Sequence, residues 1–394
     1  MTVNPDVIII GAGAGGPVIA KELGEMGIRV LILEAGAWYG NKKWPEPNQN
    51  RGWARESSDP KDLDGTLFRK QVTRRENDMN DVVTGKFCFG PADRRRSPWY
   101  RKLPNPGLLW ANGGVGGTTL HYWGNSPRAI SYRFDEGWPI SYDELIPYYE
   151  KVEATLPVEF APVTSKEALF FYGAKEAGFS LNDTLDVTSP GYRPQPNAIL
   201  PPNERLMDEN YSLEEISHME GCTLSGHCEN GCPYGPSLDK MAKRATNVSY
   251  VPLAMKTGNV SIRPNSFAIK ILTELDENGH ERAVGVQCRD TWTREIEEIN
   301  AKAVVMAAGP METPRLWLNS ELSHNPWVGR GLTNHHLETV TGHFDEKTLM
   351  DIIGSPTADP FVGHTSGARL DYPGLGMISK ETWNVIEEVL VFLS

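Results

Sequence analysis

The chain opens on an apolar run without alternation, Asp6-Val7-Ile8-Ile9-Ile10. A strand that is apolar on both faces is covered on both, as in a parallel sheet. From about Gly13 to Met26, Val18, Ile19 and Leu23 fall at helical spacing, Pro17 is tolerated in the first turn and Gly27 supplies the stop. Ile28 to Leu33 repeats the buried-strand pattern, so the pattern predicts a βαβ start. Further on, Asn259–Arg263, Ala268–Thr273 and Glu281–Arg289 read together as a small antiparallel meander. Ala303 to Gly309 is an apolar strand that returns to the parallel sheet. Ser141 and Glu144 form a capping-box pattern, which predicts a helix carrying Leu145, Tyr148 and Tyr149.

Two stretches lose periodicity. Trp38 to about Leu109 is rich in Trp, Pro, Asn, Arg and Asp and reads as a long surface excursion, a lid or a subunit contact. Pro190 to Pro236 reads as a loop-rich segment around three cysteines. Neither an internal repeat nor a low-complexity tract is found.

Composition narrows the function classes. With 394 residues, 39% hydrophobic and 23% charged, the chain can bury one large or two medium cores. A formal net charge of -12 argues against a nucleic-acid partner, since displacing counterions needs concentrated Lys and Arg. The dense basic run Arg94-Arg95-Arg96 adjoins Asp93 and reads as a solvated loop. No run approaches the roughly 18 apolar residues of a membrane span, and no basic region with a cleavage site precedes the first strand. The expectation from the sequence itself is therefore a cytoplasmic chain without a membrane span. Five cysteines argue against a disulfide framework, and the isolated Cys88 and Cys288 read as packing residues.

The first chemical motif is the triplet Gly11, Gly13 and Gly16, set between a strand and a helix, with Glu34 ending the next strand. Gly11 permits the tight turn, Gly13 lets backbone approach a pyrophosphate, and Gly16 lets helix and strand pack closely. The helix N-terminus offers unpaired N–H groups to phosphate, and Glu34 can accept bonds from a ribose hydroxyl pair. By itself the triplet leaves NAD and FAD open.

The stretch Gly113-Gly114-Val115-Gly116-Gly117-Thr118-Thr119-Leu120-His121-Tyr122-Trp123-Gly124-Asn125-Ser126-Pro127-Arg128 resembles the flavin-contacting segment of the glucose-methanol-choline (GMC) oxidoreductases. Glu34-Ala35-Gly36, Trp138-Pro139 and Gly309-Pro310-Met311-Glu312-Thr313-Pro314-Arg315-Leu316 follow the same family's order. One departure is visible: Gly113 or Gly114 stands where the family usually has a basic or polar residue. The resemblance implies an α/β fold, with an FAD-binding Rossmann-like domain of the GMC/PHBH type, a parallel sheet, a small antiparallel meander and an incomplete α+β substrate domain. In residues, 1–40, 110–135 and 245–320 are expected to form a discontinuous FAD-binding domain. Residues 41–109 are the lid, 136–244 a cap segment with the cysteines, and 321–394 the start of a truncated substrate domain.

FAD is the cofactor this implies. The family's contacts fall on Gly11, Gly13, Gly16, Glu34 and Ala35, on Gly116, Gly117, Thr118, Thr119, His121, Tyr122, Trp123, Gly124 and Asn125, and on Ile269, Ala308 and Gly309. Pyranose-oxidase-like members carry a histidine at the place of His121 that bonds covalently to flavin, whereas sugar dehydrogenases show one without such a bond. Both readings of His121 stay open.

Cys222, Cys228 and Cys232, with five and three residues between them and Pro233 following, bring three soft thiolates within reach of iron. Their spacing resembles that of the catalytic subunits of membrane-linked glucose, gluconate and fructose dehydrogenases, which implies a 3Fe-4S cluster. Ser225 stands where a fourth cysteine would complete a tighter pattern. Zinc held with His227 is awkward, because His227 adjoins Cys228.

The family oxidises alcohols, which here implies a sugar, polyol or related CH–OH group taken to a carbonyl by hydride transfer to flavin N5. Electrons would leave through the cluster to a cytochrome or quinone. An oxygen-using oxidase without a cluster is the second reading. A third, a non-catalytic FAD-binding subunit or one completed by a second chain, follows from the family's C-terminal His/His or His/Asn pair, which has no counterpart before Ser394. His335 and His336 resemble a mid-chain histidine of the family, so the catalytic residue is unassigned. A small partner with an export signal would place the chain in the periplasm.

Overall fold

The computed structural model describes residues 4–36, 38, 101–102, 108–109, 113–120, 122–131, 134, 137–187, 190–203, 220–224, 226, 228, 242–291, 293–333, 338–359, 362–372, 376–381 and 389–393. The elements run β1 (Val7–Ile10), α1 (Gly15–Glu25), β2 (Val30–Leu33), β3 (Arg101–Lys102), β4 (Leu108–Leu109), α2 (Tyr142–Thr155), β5 (Glu159–Phe160) and α3 (Ser165–Glu176). Then come β6 (Gly191–Pro194), β7 (Pro196–Asn197), α4 (Tyr250–Lys256), β8 (Val260–Arg263), β9 (Ser266–Leu275), β10 (Glu281–Asp290), β11 (Ile296–Asn300) and β12 (Ala303–Met306). The last are α5 (Gly309–Asn319), β13 (Glu338–Gly342), α6 (Glu346–Ile353), β14 (Ser366–Tyr372), β15 (Gly376–Glu381) and β16 (Val389–Leu393). Two compact units result: residues 1–121, 237–239 and 245–333 form the first, and 122–236, 240–244 and 334–394 the second.

In the first unit a four-stranded parallel sheet has the order β12-β1-β2-β8. Side chains alternate across it. Ile9, Val30 and Ile32 join Ala20 of α1 and Val251 and Ala254 of α4 in one core, and Ile8, Ile10, Leu31 and Leu33 join Ile271, Val286 and Leu316 in the other. This two-sided burial is why the strands read as unbroken apolar runs. Val260–Arg263 corrects the expected meander: it is β8, parallel to β2 in register Val30↔Val260, and Val260 and Ile262 are buried. The meander consists instead of β9, β10 and β11, antiparallel throughout. Its third strand, with the sequence Ile-Glu-Glu-Ile-Asn, is polar enough to have escaped the pattern.

The second unit holds a five-stranded antiparallel sheet in the order β13-β16-β15-β14-β6. β6 and β7 fall where the sequence predicts only loop; proline at 194 and 196 masks them. The predicted capping box at Ser141 is present, with the Glu144 N–H donating to Ser141 Oγ and the Ser141 N–H donating to Glu144 Oε2. Arg128 is buried and forked onto Glu153 by two bonds of 2.7 Å, with a third bond of 2.9 Å to Asp186. Arg193, Arg369 and Asp371 are also buried: Arg193 Nη2 lies 3.1 Å from Asp371 Oδ2, and Arg369 Nε donates to the same oxygen at 3.0 Å. Apart from Trp38 and the β3–β4 hairpin, the predicted surface excursion lies outside the described residues. Among the described residues, no helix is long and apolar enough to cross a membrane.

Candidate functional site

The C-terminal ends of β1, β2 and β12 share one edge of the parallel sheet, where β1 is flanked by β2, the next strand in the chain, on one side and by the late strand β12 on the other. Ligands bind at such a switch point in open α/β sheets. Gly11 follows β1 with φ +106° and its Cβ position lies 2.4 Å from the Ala307 carbonyl oxygen, so only glycine fits. A Cβ on Gly16 would meet the Gly11 carbonyl oxygen at 2.0 Å, the close helix–strand approach expected of the third glycine. The N-cap of α1 is Ala14, without a side-chain cap bond, no acidic residue occupies the first turn, and Gly15 faces open space. That terminus presents free N–H groups to an anion.

The two glycine segments meet backbone to backbone. Gly116 N–H donates to Ala12 O at 2.8 Å, Gly117 has its Cβ position 2.7 Å from Gly13 Cα, and Gly36 has its own 2.3 Å from Gly113 C. The glycine at 36 is thus explained locally: a Cβ there would collide with the Gly113 and Gly114 backbone. Glu34 is buried among them and accepts three backbone bonds, from Ala12 (2.8 Å), Gly36 (2.8 Å) and Gly114 (3.1 Å). Burial pushes its carboxyl above the usual range, against the lowering effect of those N–H groups. A carboxylate has about four acceptor positions, so three bonds leave room for a ribose hydroxyl.

Thr118 is exposed, whereas the Thr119 hydroxyl is committed to Gly116 O and to Thr246 Oγ1 and N. Thr246 escaped the sequence reading because a lone threonine 127 residues away carries no spacing signal. Ala308 and Gly309 open α5, again without a side-chain cap bond, and Gly309 faces open space with φ +85°. Ile269 lies half-buried in β9, at the irregularity between the Lys270–Gln287 and Ala268–Cys288 pairs.

The rest of the predicted set belongs to the second unit. Tyr122 donates its hydroxyl to Arg244 O at 3.2 Å, and burial raises its phenol above the ordinary value; its carbonyl accepts from Lys243 Nζ at 3.0 Å. Gly124 O accepts from Ala198 N–H at 2.7 Å, and Trp123 packs on the cluster of Ile199, Cys222, Leu224, Cys228 and Ala242. Cys222 and Cys228 are both buried in that one cluster. Leu224 N–H points at Cys222 Sγ (3.3 Å) and Thr365 N–H at Cys228 Sγ (3.5 Å). His121, Ser225, His227, Cys232, His335 and His336 lie outside the described residues. Among the described residues no group of three or more His, Cys, Asp or Glu is placed to hold a metal ion. Cys288 is buried, as a packing residue should be, and burial pushes its thiol up to about 11.

A family model described as GMC oxidoreductase matches residues 209–337. Over this stretch the chain is similar to the GMC oxidoreductases. Among curated GMC relatives and similar enzymes, 2-methyl-1,2-propanediol dehydrogenase of Mycolicibacterium austroafricanum is 26% identical over 94% of this chain and 63% of its own length. The fructose dehydrogenase large subunit of Gluconobacter japonicus is 25% identical, over 85% of this chain and 59% of its own. Cholesterol oxidase of Mycobacterium tuberculosis is 29% identical, over 79% and 47%. The chain thus spans about half to two thirds of these relatives' lengths. A solved structure, pyridoxine 4-oxidase from Mesorbium loti, matches the fold with a TM-score of 0.57 at 14% identity, covering 99% of this chain and 71% of that one. FAD is the cofactor of the GMC oxidoreductases, and the first unit fits it: an uncapped helix N-terminus, bare backbone where the glycine segments meet, and a buried acceptor at Glu34.

Proposed function

We propose that this chain is the flavin-binding part of an enzyme that oxidises an alcohol to a carbonyl. The observation that carries the reading is the first unit's cradle, in which the uncapped α1 terminus adjoins two glycine segments in backbone contact around Glu34. FAD, when bound, supplies the acceptor for the hydride leaving the alcohol carbon. The α1 N–H groups would hold its pyrophosphate and Glu34 would accept from its ribose, while the Thr119–Thr246 pair fixes the second glycine segment. The alcohol proton needs a base within hydrogen-bond reach. No described residue is given that role.

For the electrons' onward path, the supporting observation is the pair of buried thiols, Cys222 and Cys228, each approached by a backbone N–H. Hydrogen bonds to sulfur are a known means of tuning iron–sulfur ligands. A 3Fe-4S cluster completed by Cys232, feeding a cytochrome or quinone, is our reading of that pair, with periplasmic export on a small partner as its corollary.

Anaerobically purified protein tests the flavin and cluster readings, by its absorption spectrum and by iron and sulfide analysis. Flavin bands that bleach on adding an alcohol support the oxidation reading, and bands that persist with every alcohol indicate an FAD-binding subunit completed by another chain. Protein that takes up no FAD refutes both. Iron and acid-labile sulfide near three and four per chain support the cluster; their absence, with slow flavin re-oxidation replaced by rapid re-oxidation in air, favours an oxidase.

A further inference from the structure

We infer that Asn247 is a further cofactor residue, its side-chain carbonyl accepting a hydrogen bond from a hydroxyl of the ribityl arm of FAD. The inference rests on the flavin-binding reading above and adds a contact that the glycine segments do not supply. Every residue it uses lies in the first unit.

Asn247 stands in the short turn Thr246–Val248, just ahead of Ser249 and α4. The residue before it locks that turn onto the second glycine segment: Thr246 N–H donates to Thr119 Oγ1 at 3.0 Å, and the two hydroxyls lie 2.8 Å apart. Asn247 meets the same segment at Gly116, whose Cβ position lies 3.4 Å from Asn247 Cβ. Asn247 is 2% exposed, and its Oδ1 has no hydrogen-bond partner. Among the described residues of the first unit it is the only buried side-chain acceptor left idle; the other idle side-chain atoms there, Trp38 Nε1 and Arg289 Nε, are donors. A buried acceptor without a partner carries an uncompensated desolvation cost, which an apolar side chain of similar size would not.

The order of contacts along the second glycine segment says what would satisfy it. Gly114 N–H donates to Glu34, the acceptor for the ribose of the adenosine half. Gly116 N–H donates to Ala12 O, and Gly117 lies against Gly13, so the segment crosses the phosphate turn there. Asn247 and Thr246 meet the segment at Gly116 and Thr119, past the Glu34 end. With the pyrophosphate at the α1 terminus and the adenosine ribose at Glu34, the next group of FAD on the far side of the pyrophosphate is the ribityl chain. Ionised phosphate oxygens only accept, so they cannot pair with an amide oxygen, whereas a ribityl hydroxyl donates.

The test measures binding and stability rather than turnover. FAD and FMN are titrated into the FAD-free chain by quenching of flavin fluorescence, ADP by calorimetry, and each FAD-free chain is melted. FMN carries the ribityl arm; ADP carries only the adenosine half. Asn247→Leu replaces the amide by an apolar group of similar size, and Asn247→Ala removes the same acceptor without adding bulk. Each variant should weaken FAD and FMN by about tenfold, the value of one hydrogen bond, and leave ADP unchanged. Asn247→Leu should also raise the melting temperature of the FAD-free chain, because the idle acceptor is gone. Those opposite signs separate a cofactor contact from a structural residue, for which affinity and stability fall together. FAD affinity unmoved in both variants overturns the inference and means that the oxygen holds only water. ADP weakened as much as FMN, or a lower melting temperature for Asn247→Leu, overturns it too. A parent chain that takes up no FAD brings down the flavin reading itself, whereas a parent and variants that bind FAD equally well bring down only this inference.

Discussion

Replacing Glu34 with Gln separates two opposed effects at the cradle. In the native site Oε2 accepts from Ala12, and Oε1 accepts from both Gly36 and Gly114. A Gln amide can keep its oxygen on the Gly36 and Gly114 side, but its NH2 then faces the Ala12 N–H. Stranding that buried donor costs about 1–3 kcal/mol. The two retained bonds also lose their charge assistance, about 1 kcal/mol each, and at pH 8 the release of a buried charge works against this second loss. Glu34→Gln should therefore cost about 1–3 kcal/mol at pH 8, read as a shifted midpoint in urea titrations of the FAD-free protein with tryptophan fluorescence.

The pH dependence has a definite sign. Burial raises the folded-state pKa of Glu34, so between the unfolded value near 4.3 and the raised one the folded protein binds more protons. Native stability from this group then grows as pH falls through that window, and the variant has no such titration. The gap between parent and Glu34→Gln should be larger at pH 5 than at pH 8. A variant as stable as the parent at both pH values, or a gap that narrows on acidification, would refute the assignment of a buried, three-bonded carboxylate.

Three further outcomes are expected. Gly16→Ala places its Cβ 2.0 Å from the Gly11 carbonyl, so the α1 terminus must shift; FAD affinity, measured by quenching of flavin fluorescence, should fall at least about tenfold, with about 1–3 kcal/mol lost from stability. Asp371→Asn leaves Arg193 and Arg369 buried without their carboxylate and should cost about 3–5 kcal/mol in chemical denaturation. Gly173→Ala, inside α3 with nothing within 4 Å of the new methyl, should stabilise by about 0.5–1 kcal/mol, seen as a higher melting temperature.

Much of the first unit is legible in the sequence because its signals are local. Ile8–Ile10 and Leu31–Leu33 are apolar on both faces, Gly11 and Gly16 sit at a fixed offset from β1, and Ser141 with Glu144 caps one helix within four residues. Signals that join distant segments are silent. Nothing in the sequence indicates that Gly36 touches Gly113 or that Thr246 locks Thr119, since those contacts exist only once the sheet has brought the segments together. The second unit inverts the usual rule: Arg193, Gln195, Asn197, Arg369 and Asp371 are polar yet buried, so β6 and β7 read as loop and β14 gives no strand signal. Proline at 194 and 196 deepened that misreading.

The position of β1 between β2 and β12 has a consequence for the nascent chain. Its partner on one side follows within about twenty residues, but β12 begins only at Ala303, roughly 300 residues later. At roughly 5–20 residues per second, synthesis leaves that apolar edge unpaired for about 15–60 s. An open edge of this kind templates pairing with other chains. The strand that places Gly11 in the cradle therefore stays open to such pairing until β12 has been made.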